Sequence, residues 1–326
     1  MKAIIVTEFG GPDVLRYTDT DIPRIQADQV LIQVEATSVN YADIKSRTGG
    51  KGAGTPPFIP GLDVAGVIAS VGADVRHLKP GQRVIAFPAH GSYAEYAVAN
   101  ETLTFAIPET IDFDMAAACP IVSFTAYRLL ADVARLERGE TVLVHAAAGG
   151  VGTTAIQLAK LLGAGRVIGT VGSEEKAAIA EEAGADHVIV HGREDFAARV
   201  NELTDGEGAN VVLDSISGAV SEKSMECLAP YGRLVHFGSA GGATGTIRTQ
   251  DLHASCRSVL GFSLGTTRSK RPHLLQDTAE KVIPLLADGS LRIRIGGRFP
   301  LAEAAKAHEW VESRQSTGKV LLDVAK

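Results

Sequence analysis

The chain has 326 residues, 45% of them hydrophobic and 21% charged, with a formal net charge of -6. That balance is ordinary for a globular protein, the length allows two domains, and the acidic excess argues against nucleic acid as the main partner. Three cysteines, Cys119, Cys227 and Cys256, show no metal-ligand spacing and fit a reducing, cytoplasmic setting.

The first fifteen residues read as a strand and a turn rather than a signal peptide, and no uninterrupted apolar run suggests a bilayer span, so no membrane partner is expected. From Met1 to about Pro120 the chain is β-rich. Ala3 to Thr7, Gln29 to Ala36, Asp63 to Val71, Gln82 to Ala86 and Ala94 to Ala99 are short strand candidates. Turn chemistry at Gly10-Gly11-Pro12, Thr48 to Pro57 and Lys79-Pro80-Gly81 divides them. Many short strands with few helices predict a barrel-like domain. Helices are expected at Asn40 to Arg47, just before the glycine-rich Gly49 to Gly54, and at Asp112 to Ala118 and Phe124 to Asp132.

The pattern changes at Thr141. A β-branched apolar run, Thr141 to His145, predicts a strand buried on both faces. A small-residue turn, Ala146 to Gly152, follows, then a helix over Thr153 to Leu162 and a strand over Val167 to Val171. The turn is a variant of the dinucleotide fingerprint, with Ala147, Gly149 and Gly152 in the three glycine slots. Small residues there let the turn be tight and let a pyrophosphate approach a helix N-terminus. Strands at His187 to Val190, Asn210 to Ser215, Gly232 to Gly238 and Arg257 to Ser263 alternate with helices at Glu174 to Ala183, Glu194 to Leu203 and Gly218 to Leu228. The fold class is therefore α/β, with a Rossmann-type doubly wound parallel sheet of about six strands beside the β-rich domain. The short basic cluster Arg268 to Arg271 reads as a solvated loop. Helices at Leu274 to Asp288 and Leu301 to Ser313 precede a last strand, Lys319 to Val324, which is expected to return to the first domain.

The end of the second strand of this unit bears on the cofactor. It reads Gly169-Thr170-Val171-Gly172-Ser173, with no acid to accept from a ribose 2′-OH. Ser173 and Lys176 can instead hydrogen-bond and neutralise a 2′-phosphate. Glu174 and Glu175 would oppose a phosphate if they pointed inward, but they are also ordinary first-turn helix residues. The balance favours NADP(H) over NAD(H).

At this point the chain resembles the quinone oxidoreductase (zeta-crystallin-like) branch of the medium-chain dehydrogenase/reductase superfamily. The likeness is carried by VNYADIKSRTG from Val39, PGLDVAGVIASVGADVRHLKPGQRV from Pro60, GSYAEYAV from Gly91, TAYRLL from Thr125, HAAAGGVGTTAIQLAK from His145 and AEAAKAHEWVESRQSTGKVLL from Ala302. It implies a GroES-like domain over residues 1–120, an NADP(H)-binding Rossmann domain over 121–265, and a C-terminal segment, 266–326, returning to the first. It also implies zinc-independent, NADPH-dependent reduction of quinones or activated carbonyls, and a homodimer paired near Arg257 to Leu264. By the same resemblance, Asn40 and Thr125 hold the nicotinamide end, and Gly149, Gly150, Val151 and Gly152 lie on the pyrophosphate. Ser173 and Lys176 meet the 2′-phosphate, with His191 in the slot of a stacking tyrosine. Phe237, Gly238, Ser239, Phe262, Leu264 and Lys319 line the nicotinamide side, with Phe262 and Leu264 expected on the last strand of the sheet.

Related zinc enzymes place ligands where this chain has Asn40, Leu62 and Ile121, none of which suits zinc. The protein must then position the nicotinamide and stabilise the oxyanion that forms. Asn40 is a candidate for this, or simply a helix N-cap; Thr125 could likewise cap a helix it opens. Lys45 stands where the family often has tyrosine; it is either a donor to a developing enolate or phenolate, or a surface lysine. Asp43 reads as structural. A quinone needs little acid help, because water can protonate its product. Two alternatives stay open: an enoyl or alkenal reductase on the same scaffold, and a low-turnover NADPH-binding protein of the crystallin kind.

Overall fold

The computed structural model describes residues 1–50, 54–89 and 91–324. Residues 51–53, inside the expected glycine-rich stretch Gly49 to Gly54 and the turn Thr48 to Pro57, lie outside the described residues. The chain divides into two compact units, Met1–Phe124 with Gly265–Lys326, and Thr125–Leu264.

The first unit begins with strands β1 (Lys2–Val6), β2 (Leu15–Asp19) and β3 (Gln29–Val39), then helix α1 (Tyr41–Arg47). Strands β4 (Val64–Val71), β5 (Arg83–Ala86), β6 (Tyr96–Asn100) and β7 (Thr104–Ala106) follow. Strand β3 is its spine. Val30, Ile32 and Val34 alternate onto one face and pack with Val64, Ile68 and Val84. Helix α2 (Phe113–Tyr127) comes next and runs without a break where two helices were expected. Pro120 lies inside it and cannot bond the Ala116 carbonyl; the Cys119 thiol donates to that carbonyl instead, at 3.4 Å. With a following π turn the helical stretch reaches Phe113–Val133, 21 residues that include an 18-residue window of mean hydropathy 1.2. By length and composition this helix could cross a bilayer, although Asp114, Arg128 and Asp132 interrupt its apolar run; 67% of its apolar window is buried, as in a core helix.

The second unit is a parallel sheet of β8 (Thr141–Val144), β9 (Arg166–Val171), β10 (His187–Val190), β11 (Ala209–Asp214), β12 (Leu228–His236) and β13 (Ser258–Gly261). Between them run α3 (Gly150–Leu161), α4 (Glu174–Glu182), α5 (Phe196–Leu203), α6 (Ala219–Ser224) and α7 (Thr249–His253). The spatial order is β10-β9-β8-β11-β12-β13. The order reverses between β8 and β11, which is where a doubly wound sheet opens a ligand crevice at its strand ends. Leu143, Ile168, Ile189, Val212 and Leu234 form the core beneath.

Helices α8 (Leu264–Lys270) and α9 (His273–Ala287), strand β14 (Ile295–Pro300), helix α10 (Ala304–Glu312) and strand β15 (Lys319–Asp323) complete the first unit. Strand β15 pairs antiparallel with β3, Val320 opposite Val39 and Leu321 opposite Ser38. That register brings Lys319 level with Asn40. Strands β2, β7 and β14 and helices α7 and α8 were not expected. Strand β2 exposes all but Leu15, so its residues show no buried face, and only its pairing with β1 makes it a strand.

Candidate functional site

The turn after β8 is built to let backbone come close. Ala146 has φ 53° and sits in the left-handed region. Gly149 is the N-cap of α3, with φ -79° and ψ 173°. The helix starts at Gly150, three residues earlier than expected, so the N–H groups of Gly150, Val151 and Gly152 form its first turn. A Cβ on Gly152 would stand 2.3 Å from the Ala146 oxygen and 2.8 Å from Ala147 Cα, so only glycine lets α3 sit this near the turn. A Cβ on Gly149 would meet nothing nearer than the Ala146 oxygen at 3.3 Å. Ala147 occupies the slot where the fingerprint has glycine. Its methyl fits because Gly169 on β9 has none: a Cβ there would be 2.7 Å from it.

His145 fastens the turn from behind. The Ser224 hydroxyl donates to the Val220 carbonyl, so it accepts from His145 Nε2 at 2.9 Å. Nδ1 therefore accepts from the Thr170 hydroxyl, also at 2.9 Å. Burial holds the imidazole's pKa down to about 4, so it stays neutral.

Beside the turn, a cleft of about 430 Å³ is lined by Gly172, Ser173, Glu174, Glu175, Val190, His191, Gly192 and Arg193. Ser173 is the N-cap of α4 and Lys176 its half-buried third residue. His191 is exposed at the end of β10, and Arg193 forms an ion pair with Glu174. Glu174 thus faces a cation at the cleft, and no acid ends β9. Arg193 was not singled out from the sequence, although a basic residue just past a strand end is a readable signal.

In the first unit, Asn40 is buried and stands at the N-cap position of α1, so both its site and cap readings share one residue. Lys319, also buried, donates to Asn40 Oδ1 at 2.6 Å and to the Val39 carbonyl at 3.2 Å. An ammonium only donates, so it fixes which end of the Asn40 amide faces it. Asn40 Nδ2 points away and donates to the Ser38 carbonyl at 3.3 Å. Asp63 Oδ2 lies 3.8 Å from Lys319 Nζ, and Asp63 Oδ1 accepts from the Ser38 hydroxyl at 2.8 Å. Burial lowers the Lys319 pKa, while Asp63 and Asp43 pull it back up. Asp43 is structural, as expected: it accepts the Asn40 backbone N–H at 2.8 Å. Burial, helped by the Asp63 charge, raises its pKa to about 7.

The remaining expected residues fall as follows. Lys45 is half-buried on α1 with its ammonium 5.4 Å from the centre of the Tyr41 ring. Thr125 is buried within α2; it opens no helix, which corrects its reading as a cap. Phe237, Gly238 and Ser239 follow the end of β12, and the Phe237 N–H bonds the Asp214 carbonyl at 2.9 Å. Phe262 and Leu264 are not on a strand: β13 stops at Gly261, and Leu264 opens α8, because pairing with β12 ends at His236. Among the described residues, no group of three His, Cys, Asp or Glu side chains could hold a metal ion. Burial raises the pKa of the Cys119 thiol and takes that of Cys227 to about 12.

Comparison with known proteins then places the chain. Residues 26–109 match the alcohol dehydrogenase GroES-like domain family and residues 150–287 the zinc-binding dehydrogenase family. A quinone oxidoreductase of Pseudomonas aeruginosa is 38% identical over 98% of this chain and 99% of its own. The chain belongs to the quinone oxidoreductase branch of the medium-chain dehydrogenase/reductase superfamily. Two solved relatives carry the same fold. A mycobacterial protein described in complex with NADPH has a TM-score of 0.93 at 36% identity, covering 99% of this chain and 100% of its own. The Escherichia coli quinone oxidoreductase, also complexed with NADPH, has a TM-score of 0.92 at 32% identity, with the same coverage. As a member of this branch, the protein is an oxidoreductase built from a GroES-like domain and a Rossmann-type sheet. What the sequence missed in it is the buried polar company of Asn40: Asp63, Tyr93 and His308 come from loops and a helix far along the chain.

Proposed function

We propose that this protein reduces quinones or α,β-unsaturated carbonyls with NADPH and without zinc. The cleft after β9 carries the reading: it offers Ser173, His191 and Arg193 around a space for a 2′-phosphate, with Lys176 on the adjoining helix turn and no strand-end acid. The NADPH complexes of two close relatives support it. Bound NADPH supplies the hydride. The α3 N-terminus and Gly149 receive the pyrophosphate, with Gly150, Val151 and Gly152 offering N–H groups. Asn40 Nδ2 is the donor toward the nicotinamide carboxamide or the acceptor's oxygen, because Lys319 occupies Oδ1. Thr125, Phe237, Gly238, Ser239, Phe262 and Leu264 are assigned to the nicotinamide side on resemblance. Water or Lys45 protonates the product. The domain limits 1–120, 121–265 and 266–326, a cytoplasmic location and a homodimer belong to the same proposal. The exposed edge of β13, with Val259 at its surface, would be the pairing strand.

Oxidation of NADPH by a quinone panel, with metal analysis, tests the activity. Lys176→Ala should weaken NADPH by about 1.5–3 kcal/mol, the worth of a charge-assisted contact, and leave NADH little changed. Equal losses for both coenzymes would count against the 2′-phosphate assignment. Tight NADPH binding with no acceptor turned over would favour the low-turnover binding protein.

A further inference from the structure

One side chain in the first unit has no place in the chemistry above and yet is fully buried and charged. Arg47, 1% exposed, lies at the end of α1. Its Nε donates to the Gly10 carbonyl at 3.1 Å, and its Nη2 to Glu312 on α10 at 2.7 Å. Its Nη1 lies 3.2 Å from His308 Nδ1. A guanidinium has no acceptor, so Nδ1 must accept. His308 is neutral, since burial and the neighbouring Arg47 lower its pKa to about 3, and its proton therefore sits on Nε2. From there it donates to the Tyr93 hydroxyl at 3.1 Å. Tyr93 in turn donates to Asp43 Oδ2 at 3.3 Å, the same oxygen that holds the Asn40 N–H. Each link has one allowed direction, and the direction is set at the arginine.

We propose that Arg47, His308 and Tyr93 are positioning residues for Asn40: they form a one-way hydrogen-bond line that aims the Asp43 carboxylate at the Asn40 N–H and so fixes the start of α1. Together with the Lys319 contact on its amide oxygen, this holds Asn40 at both backbone and side chain. The proposal rests on the role given to Asn40 above. The line works best with Asp43 ionised, because both of its partners there are donors. The charged or titratable groups facing Asp43 are Asp63, Lys319 and Arg268, besides the line itself. Asp63 and burial oppose its ionisation, and Lys319 and the Asn40 N–H favour it. Turnover therefore rises with pH through a midpoint near 7, set by Asp43.

Tyr93→Phe keeps the edge-to-face packing of the ring on His308 and removes only the hydroxyl. Two readouts are measured on the full chain. In the first, hydrogen exchange of the peptide containing Asn40 should quicken about tenfold in the folded variant, while peptides of the parallel sheet stay unchanged. This readout needs no turnover, so an inactive wild type would refute the reductase reading and leave the line to be judged by exchange. In the second, kcat with a quinone should fall several-fold with KM for NADPH within twofold, and the pH midpoint of kcat should move upward, since Asp43 has lost a donor. Asp43→Asn, neutral at every pH, should hold kcat at the low level of the acid limb and abolish its pH dependence. Unchanged exchange at Asn40, or an unmoved midpoint with unchanged kcat, would overturn the proposal. If Tyr93→Phe does not fold, His308→Asn, whose shorter side chain ends short of the Nε2 position that donates to Tyr93, takes its place under the same criteria.

Discussion

Two glycines in one turn make opposite demands, and alanine at each separates them. Gly152 is small because of the protein. Its added methyl would lie 2.3 Å from the Ala146 oxygen and 2.8 Å from two backbone atoms of Ala147. That is roughly 1 Å inside ordinary contact, against backbone that cannot rotate away, so Gly152→Ala should cost about 1–3 kcal/mol as overpacking does. For a unit the size of Thr125–Leu264 unfolding on its own, each kcal/mol lowers Tm by about 2–4 °C. Gly149 is small for the ligand. Its φ of -79° suits any residue, and its methyl would touch only the Ala146 oxygen at 3.3 Å. Gly149→Ala should leave stability within about 1 kcal/mol, since the lower entropy of the unfolded chain offsets the tight contact. It should, however, keep the pyrophosphate from the α3 N–H groups. Losing one charge-assisted bond of about 1.5–3 kcal/mol raises Kd for NADPH roughly 10- to 150-fold. Thermal unfolding without coenzyme and fluorescence titration with NADPH measure the two effects separately. A Gly152→Ala protein as stable as wild type would show that helix and strand do not approach as described. A Gly149→Ala protein with unchanged NADPH affinity would show that the pyrophosphate lies elsewhere.

Three further outcomes are expected. Stability should fall on acidification from pH 6.5 toward 4, because His145 and His308 stay neutral in the folded state with pKa values of about 4 and 3 and must gain protons as the chain unfolds. Asp43, raised to about 7, opposes them: its contribution is present at low pH and lost as pH rises through 7. Two protons less one leaves a net slope of about 1.4 kcal/mol per pH unit, and Asp43→Asn should roughly double it in urea melts; a flat profile would contradict the neutral histidines. Lys319→Met leaves the buried Asp63 carboxylate without its cation and should cost about 3–5 kcal/mol, most of it recovered by adding Asp63→Asn; a stable single variant would mean that Asp63 does not depend on Lys319. Ala146→Gly relieves a left-handed backbone at an exposed position and should stabilise by up to about 1 kcal/mol; a loss of more than about 0.5 kcal/mol in denaturant titration would speak against that strain.

The sequence by itself determined the alternating strands and helices of the parallel sheet, the small-residue turn before α3, and the missing acid at the end of β9. All of these are local: periodicity, turn chemistry and strand-end residues act over a few positions, so a linear reading can hold them. The helix through Pro120 escaped it because one thiol rescues the carbonyl that proline leaves unbonded. Only the tertiary structure decided what surrounds Asn40. Lys319 reaches it through the pairing of β15 with β3, across 279 residues of chain, and His308 meets Tyr93 across 215. In the same way, Ala147 is tolerated in a glycine slot because Gly169 faces it from the neighbouring strand. Hydrogen bonds and close contacts of this kind depend on which strands lie side by side and in what register, and no single stretch of the chain contains that information.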